Sequence, residues 1–347
     1  MGNPGRSCLL PPDEVGWPAG AVVVPPLYCP DPVRIDESLG EDVDDLLLTW
    51  VRELGTFTSP PDHVYTGQYG RFAMLVHPDT DDPDRLLLAA QCMAALFGVD
   101  DCYCDDERSG SVPALLGPRL GLAQSALDPA HLVGRHAVEL ENALRADPVL
   151  VGLRSYIEHA AVYASPAQLG RIRHETAAMF LTMTEEAAWR AAGEVPSVWK
   201  YLAHRQPNSF LPCMTLIDVV GGYELPAAVY ADPAVRRATT LAGSATIIAN
   251  DLYSMAKEGI PEIGDFNLPT VLAAEQGCPL QEAVEISISI HDDVVRAFED
   301  AVQRLLRHAS PELVRFLAGL RAWIGGSREW HARSGRYHPA PILSTRR

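Results

Sequence analysis

Apolar residues recur in this chain with the spacing of a helix and almost nowhere with the alternation of a strand. Val43, Leu46, Leu47 and Trp50 fall at i, i+3, i+4 and i+7, and Val51 and Leu54 continue the stripe. Leu86 to Phe97 is rich in Ala, Leu and Met. Helices are also read over Pro148–Tyr163, Leu169–Arg190, Ala234–Lys257, Leu280–Leu306 and Pro311–Trp323. Asp147 suits an N-cap and Pro148 the first helical position, where a missing N–H costs nothing. Proline-containing gaps at His77-Pro78, Val195-Pro196, Leu225-Pro226 and Asn267-Leu268-Pro269 separate these stretches. Hairpin signals are essentially absent. The pattern predicts an all-α fold, a single bundle of many helices around a central apolar cavity.

Residues 1–27 carry Pro4, Pro11, Pro12, Pro18, Pro25 and Pro26 among several glycines, which predicts a largely disordered leader. A strand-like cap that orders over the site is the functional alternative. No charge block or Ser/Gly linker follows, so one domain is expected over 28–338 with a tail at 339–347. The 347 residues are 47% hydrophobic, enough for a large core. A net charge of −17, from 45 acidic and 28 basic residues, argues against nucleic acid as a partner. It leaves room for an anionic small substrate, because a few cations can dominate one pocket. Seven scattered cysteines and no paired CxxC sets suit reduced thiols in a cytoplasm, and Cys102-x-Cys104 lacks a second pair at zinc spacing. The N-terminus lacks the pattern of a signal peptide, and no apolar run reaches the length of a membrane span.

Two polar clusters end apolar helices. Asp100-Asp101-x-x-x-Asp105 follows the Leu86–Phe97 stretch. On an α-helix positions i and i+4 share a face, so Asp101 and Asp105 would point together with Asp100 beside them. Like charges at that spacing repel, which makes sense if a divalent cation neutralises them; Mg²⁺ takes such hard oxygens. A solvated acidic helix end is the plain alternative, and no EF-hand loop supports calcium. Asn250, Ser254 and Glu258 fall at i, i+4 and i+8, one stripe spanning about 12 Å of helix axis. Each offers a hard oxygen, and Lys257 adds a positive charge beside them. A polar helix face would explain this triad alone; two such helix ends 150 positions apart are harder to explain that way.

The pair DDxxxD and NDxxSxxKE resembles the two metal motifs of class I terpene synthases. Arg205, 45 positions before Asn250, matches that family's pyrophosphate-sensing Arg, and Arg336-Tyr337, 86 positions after it, matches the late RY pair. Ser327-Arg328-Glu329-Trp330-His331 looks like the family's final helix. One departure stands out: the Asp linker and small effector that follow the sensor in many relatives are here Asn208 and Ser209, so the relay of substrate arrival differs. Leu27-Tyr28-Cys29-Pro30, Asp100-Asp101-Cys102-Tyr103-Cys104, Arg205-x-x-Asn208-Ser209 and Val219-Val220-Gly221-Gly222-Tyr223-Glu224-Leu225-Pro226 are most similar to the bacterial 2-methylisoborneol synthase branch.

The resemblance implies a class I terpenoid synthase fold and a prenyl diphosphate substrate, which in that branch is 2-methylgeranyl diphosphate. It implies three Mg²⁺ ions, two held by Asp101 and Asp105 with Asp100 nearby and the third by Asn250, Ser254 and Glu258. Arg205, Lys257, Arg336 and Tyr337 would hold the diphosphate, and Phe72, Phe97 and Trp330 would face the carbocation, with ordinary core packing as the competing role for each. Another monoterpene or sesquiterpene cyclase, or a 2-methylenebornane-forming enzyme, is the rival within the class. A chain-elongating prenyltransferase would need a second DDxxD, which His291-Asp292-Asp293 does not complete. A helical scaffold protein is the rival outside it. There is no HExxH, no GxSxG and no GxGxxG before a strand, and His159, His174, His204 and His291 read as surface or satisfied core positions. Dimerisation is left open, and a homodimer is compatible with the sequence.

Overall fold

The computed structural model describes residues 23–55, 67–105, 112–258 and 266–337. Among the described residues there is no strand. The helices are α1 (Glu37–Leu54), α2 (Tyr69–Val76), α3 (Pro83–Val99), a π-helical turn (Asp100–Asp105), α4 (Pro113–Leu127), α5 (Arg135–Ala146), α6 (Pro148–Tyr163), α7 (Pro166–Ala192) and α8 (Val198–Arg205). Three single turns follow, α9 (Leu211–Met214), α10 (Ile217–Val220) and α11 (Ala227–Tyr230), then α12 (Pro233–Glu258), α13 (Leu268–Gln276), α14 (Leu280–Leu306) and α15 (Pro311–Arg333).

Local chemistry sets the helix ends. Asp147 accepts from the Val149 N–H and Pro148 takes the first helical position of α6, as its sequence predicts. Ser165 and Gln168 form a reciprocal capping box on α7, and Gly193 ends that helix in the left-handed region. Pro269 does not mark a gap: Asn267 caps α13 and the proline sits in its first turn, where no donor is needed. α15 runs without a break through Gly325 and Gly326 to Arg333, joining the stretch predicted to end at Trp323 to Ser327–His331. A Cβ on Gly326 would lie 2.7 Å from the Leu75 carbonyl oxygen of α2, and one on Gly70 would collide with the Asp44 backbone nitrogen of α1. These two glycines let α1, α2 and α15 cross with backbones nearly touching.

The core is shared by α1, α2, α3, α6, α7 and α15, and a second cluster gathers Tyr201, Ile248, Leu252, Leu268 and Val284 between α8, α12, α13 and α14. Leu27 packs into the second cluster, and the segment leading to it is tied to α14: Gln281 bonds both the Val23 N–H and the Val23 carbonyl, and Tyr28 donates to Glu299. Residues 1–22 of the predicted leader lie outside the described residues. By length and hydropathy alone Pro83–Cys104 would pass as a membrane span, but 72% of that window is buried inside the protein. It is the central helix of the bundle, which is why it is apolar all round.

His77 ends α2 against the edge of Trp323, with ring centroids 5.6 Å apart. Burial holds its imidazole down to about 3, and Arg34 nearby acts in the same direction. The folded side chain therefore stays neutral where the unfolded one takes up a proton near pH 6.5. The unfolded state binds more protons below that pH, so stability is full above it and falls as pH drops. His331, also held at about 3 by burial, adds to the slope. Replacing His77 with Phe is expected to reduce the stability lost between pH 6 and pH 5 by about 1 kcal/mol. Urea denaturation at the two pH values measures it, and an unchanged difference would show that His77 does not titrate on unfolding.

Candidate active site

A cavity of about 510 Å³, its mouth included, opens between α3, α7, α8, α9 and α12. Met93, Leu96, Phe97, Met179, Met183, Phe210, Cys213 and Ile247 give it an apolar wall. Asp100, Arg205, Asn208, Ser209 and Asn250 give it a polar one. Residues from both polar clusters and from the 205–209 segment therefore meet at one space, although Asp100 and Asn250 are 150 positions apart.

The first cluster, Asp100–Asp105, is a π-helical turn with bonds spanning five residues rather than the α-helix that its sequence predicts. Arg336 grips Asp101 with two parallel bonds of 3.0 and 2.7 Å, the fork geometry that suits a carboxylate. Its guanidinium also lies 4.4 Å from the Phe97 ring centroid. Tyr103 donates to Asp147 at 2.6 Å, and Arg190 joins the Cys104 carbonyl (2.9 Å) to Glu186 (2.6 Å). The turn is thus pinned to α6 and α7.

The second cluster is built on α12. Arg205 donates to Asp251 at 3.0 and 2.6 Å, to the Asn208 carbonyl at 3.1 Å and to Asn250 Oδ1 at 3.3 Å. Burial works against the charge of Arg205, but Asp251 overrides it and holds the guanidinium firmly protonated. Asp251 is a residue whose part sequence reasoning missed. It also accepts from Tyr201 Oη (2.8 Å) and the Leu268 N–H (3.1 Å), so one carboxylate joins α8, α12 and α13. The signal was present, since Asp251 is the second letter of the Asn-Asp pair, but i, i+4 reasoning follows only the Asn250–Ser254–Glu258 stripe and gives Asp251 no part. Asn250 donates through Nδ2 to Tyr337 Oη at 2.8 Å and reaches His331 Nε2 at 3.0 Å. Ser254, half-buried, lies one turn further along α12. The side chains of Asp105, Lys257 and Glu258 lie outside the described residues.

Asn208 is buried. Its Nδ2 lies 3.3 Å from His204 Nε2 and 3.5 Å from Glu186, and Ser209 donates to the Gln206 carbonyl at 2.7 Å. His204 is a satisfied core residue, held between Glu185 and Glu186. Of the three predicted aromatics only Phe97 lines the cavity. Phe72 and Trp330 stack face to face at 4.2 Å and 4°, both fully buried, behind the wall. Phe210, 5.7 Å from Phe72 edge to face, takes the lining position that sequence reasoning gave to them. Nothing local in the sequence distinguishes Phe210 from a core residue.

Among the described residues no three of His, Cys, Asp and Glu converge to form a metal cage of their own. The donors that reach the cavity, Asp100 and Asn250, are hard oxygens. They fit Mg²⁺, which keeps waters and shares its sphere with phosphate oxygens rather than demanding an all-protein cage.

The sequence profile described as terpene synthase family 2, C-terminal metal binding, matches residues 91–297. The 2-methylisoborneol synthase of Streptomyces ambofaciens is 38% identical over 348 residues, covering 95% of this chain and 78% of that protein. The 2-methylisoborneol synthase of Saccharopolyspora erythraea is 36% identical, covering 90% and 89%. Among solved structures, 2-methylisoborneol synthase from Streptomyces coelicolor in complex with Mg²⁺ and 2-fluoroneryl diphosphate superposes with a TM-score of 0.84 at 36% identity, covering 93% of this chain and 98% of that one. The shared all-α bundle, the matched metal-binding region and these identities over nearly the whole length establish that the chain belongs to the terpene synthase family.

Proposed function

We propose that the protein is a Mg²⁺-dependent cyclase that converts 2-methylgeranyl diphosphate and water into 2-methylisoborneol and diphosphate. The observation that carries this reading is the cavity itself, where Asp100, Asn250 and Arg205 share one space with a wall of Met, Leu, Ile and Phe. The relatives named for this reaction, similar over most of the chain, support the product assignment. Mg²⁺ bound there would offset the charge of the departing diphosphate as its C–O bond breaks. Asp100, Asp101 and Asp105 would hold metal on one side, and Asn250, Ser254 and Glu258 on the other. Arg205, Lys257, Arg336 and Tyr337 would take the diphosphate. Arg336 can turn to an anion because Asp101, the carboxylate it engages, is one that metal would neutralise, while Arg205 lines the cavity with its charge held by Asp251. Phe97 and Phe210 present ring faces or edges to the cavity, each stabilising positive charge by about 0.5–2 kcal/mol. The apolar wall excludes water until the ring has closed. The six described cysteines form no disulfide, which suits a cytoplasmic enzyme.

Incubation with geranyl, 2-methylgeranyl and farnesyl diphosphates and Mg²⁺, followed by gas chromatography–mass spectrometry, is expected to give 2-methylisoborneol from the methylated substrate and to give nothing once EDTA is added. Chain elongation with isopentenyl diphosphate, or a 2-methylenebornane product alone, would refute the assignment. Asp101→Ala is expected to lower diphosphate release by at least about 100-fold while circular dichroism stays unchanged, a loss of about 2.7 kcal/mol of transition-state stabilisation. Asp251→Asn has a different signature. It leaves Arg205 buried without its counter-charge, so about 3 kcal/mol of unfolding free energy should be lost in a urea titration. A variant as stable as the parent would mean that Asp251 does not hold α8 to α12.

A further inference from the structure

We infer that His331 is a positioning residue that fixes which end of the Asn250 carboxamide faces the cavity, and so makes Asn250 an oxygen donor to metal. The inference rests on the metal-binding reading above. His331 is fully buried near the end of α15. Its Nδ1 lies 2.7 Å from the carbonyl oxygen of Ser327, an atom that only accepts, so Nδ1 carries the ring proton. Nε2 is then an acceptor, and it sits 3.0 Å from Asn250 Nδ2. Only the NH₂ end of a carboxamide can satisfy it. The oxygen end is thereby turned the other way, to Arg205, which lines the cavity with Asn250.

No other neighbour makes this choice as firmly. The Tyr337 hydroxyl, 2.8 Å from Asn250 Nδ2, both donates and accepts and would serve either end of the amide. Arg205 Nη2, at 3.3 Å from Oδ1, does demand an oxygen, but on the proposed mechanism it turns to diphosphate. The Ser327 carbonyl cannot move without unwinding α15. A fixed acceptor thus fixes a tautomer, the tautomer fixes an amide, and the amide presents its hard oxygen to a hard cation.

The experiment compares His331→Phe in two backgrounds. Phe fits among Trp330, Phe72 and Tyr337 and removes only the polar edge. With Asn at 250, calorimetric affinity for Mg²⁺ in the presence of inorganic diphosphate should fall about 10-fold or more. With Asn250→Asp as the parent, both ends of the side chain are oxygen and no orientation is needed, so His331→Phe should cost less than about threefold. Equal losses in the two backgrounds, at matched melting temperatures, would overturn the inference, because a purely structural role would not be relieved by Asp. His331→Gln keeps an acceptor near the Nε2 position and should bind within about threefold of the parent. A loss there as large as that expected for Phe would also overturn it, and this variant carries the test if His331→Phe does not fold. No Mg²⁺-dependent diphosphate binding by the unmodified protein would instead remove the metal reading itself.

Discussion

Two guanidinium–carboxylate pairs, Arg205 with Asp251 and Arg336 with Asp101, hold together the polar wall on which the rest of the site depends. Both are largely shielded from water. A shielded ion pair adds little net stability, because taking each charge out of water costs about as much as the pairing returns. What such pairs supply here is position. Arg205 joins α8 to α12, and Arg336 joins the chain after α15 to the π-helical turn after α3. Remove the carboxylate of either pair and a largely buried guanidinium loses its counter-charge. The pairs also resolve a conflict that composition creates. A chain with a net charge of −17 must gather carboxylates at the place where it receives an anion. Cations already stationed against those carboxylates keep the cavity from being uniformly repulsive.

The end of α15 delivers the second half of this arrangement, and it can do so because of glycine. Gly326 allows the Leu75 backbone to lie against α15, which brings Trp330 onto Phe72 and His331 onto Asn250. Trp330 donates to the Gly67 carbonyl at 2.8 Å, and Ser334 contacts the same oxygen. The turn that follows is thus fixed, and Arg336 and Tyr337 emerge from it in set directions. The Phe72–Trp330 stack is therefore a foundation for the site. Its rings are fully buried and pack against Phe97 and Phe210, which line the cavity.

Much of this was legible in the sequence, for identifiable reasons. Helix existence was readable where the apolar period was long and the caps were strong, as in α6 with Asp147 and Pro148. It was unreadable where the period is short, as in the single turns α9 to α11, or where proline was taken as a break, as at Pro269. The acidic motifs were visible as residue types, and they do meet at one cavity. Their local geometry was not visible, because a π-helical turn and an α-helical one can carry the same residues. Asp251 was in plain view but assigned no part, since spacing shows which residues share a stripe and not what the adjacent face touches.

The least legible feature is the one that decides the product. Met93, Met179, Met183 and Ile247 line the cavity, yet each is buried and sits in an apolar helical stripe like its neighbours. Met179 and Ile172 occupy the same helix two turns apart, and nothing in the sequence around them says that one faces space and the other faces packing. The distinction arises only from where α7 packs against α9 and faces α3 across the cavity, an arrangement set by segments outside α7. The wall is also soft. Methionine has three rotatable bonds and a polarizable sulfur, so the surface that folds the substrate can adjust to it while the polar wall stays fixed by ion pairs. Chemistry in this site is thus set by rigid, charge-bearing positions that spacing reveals, and shape by adaptable apolar ones that it does not.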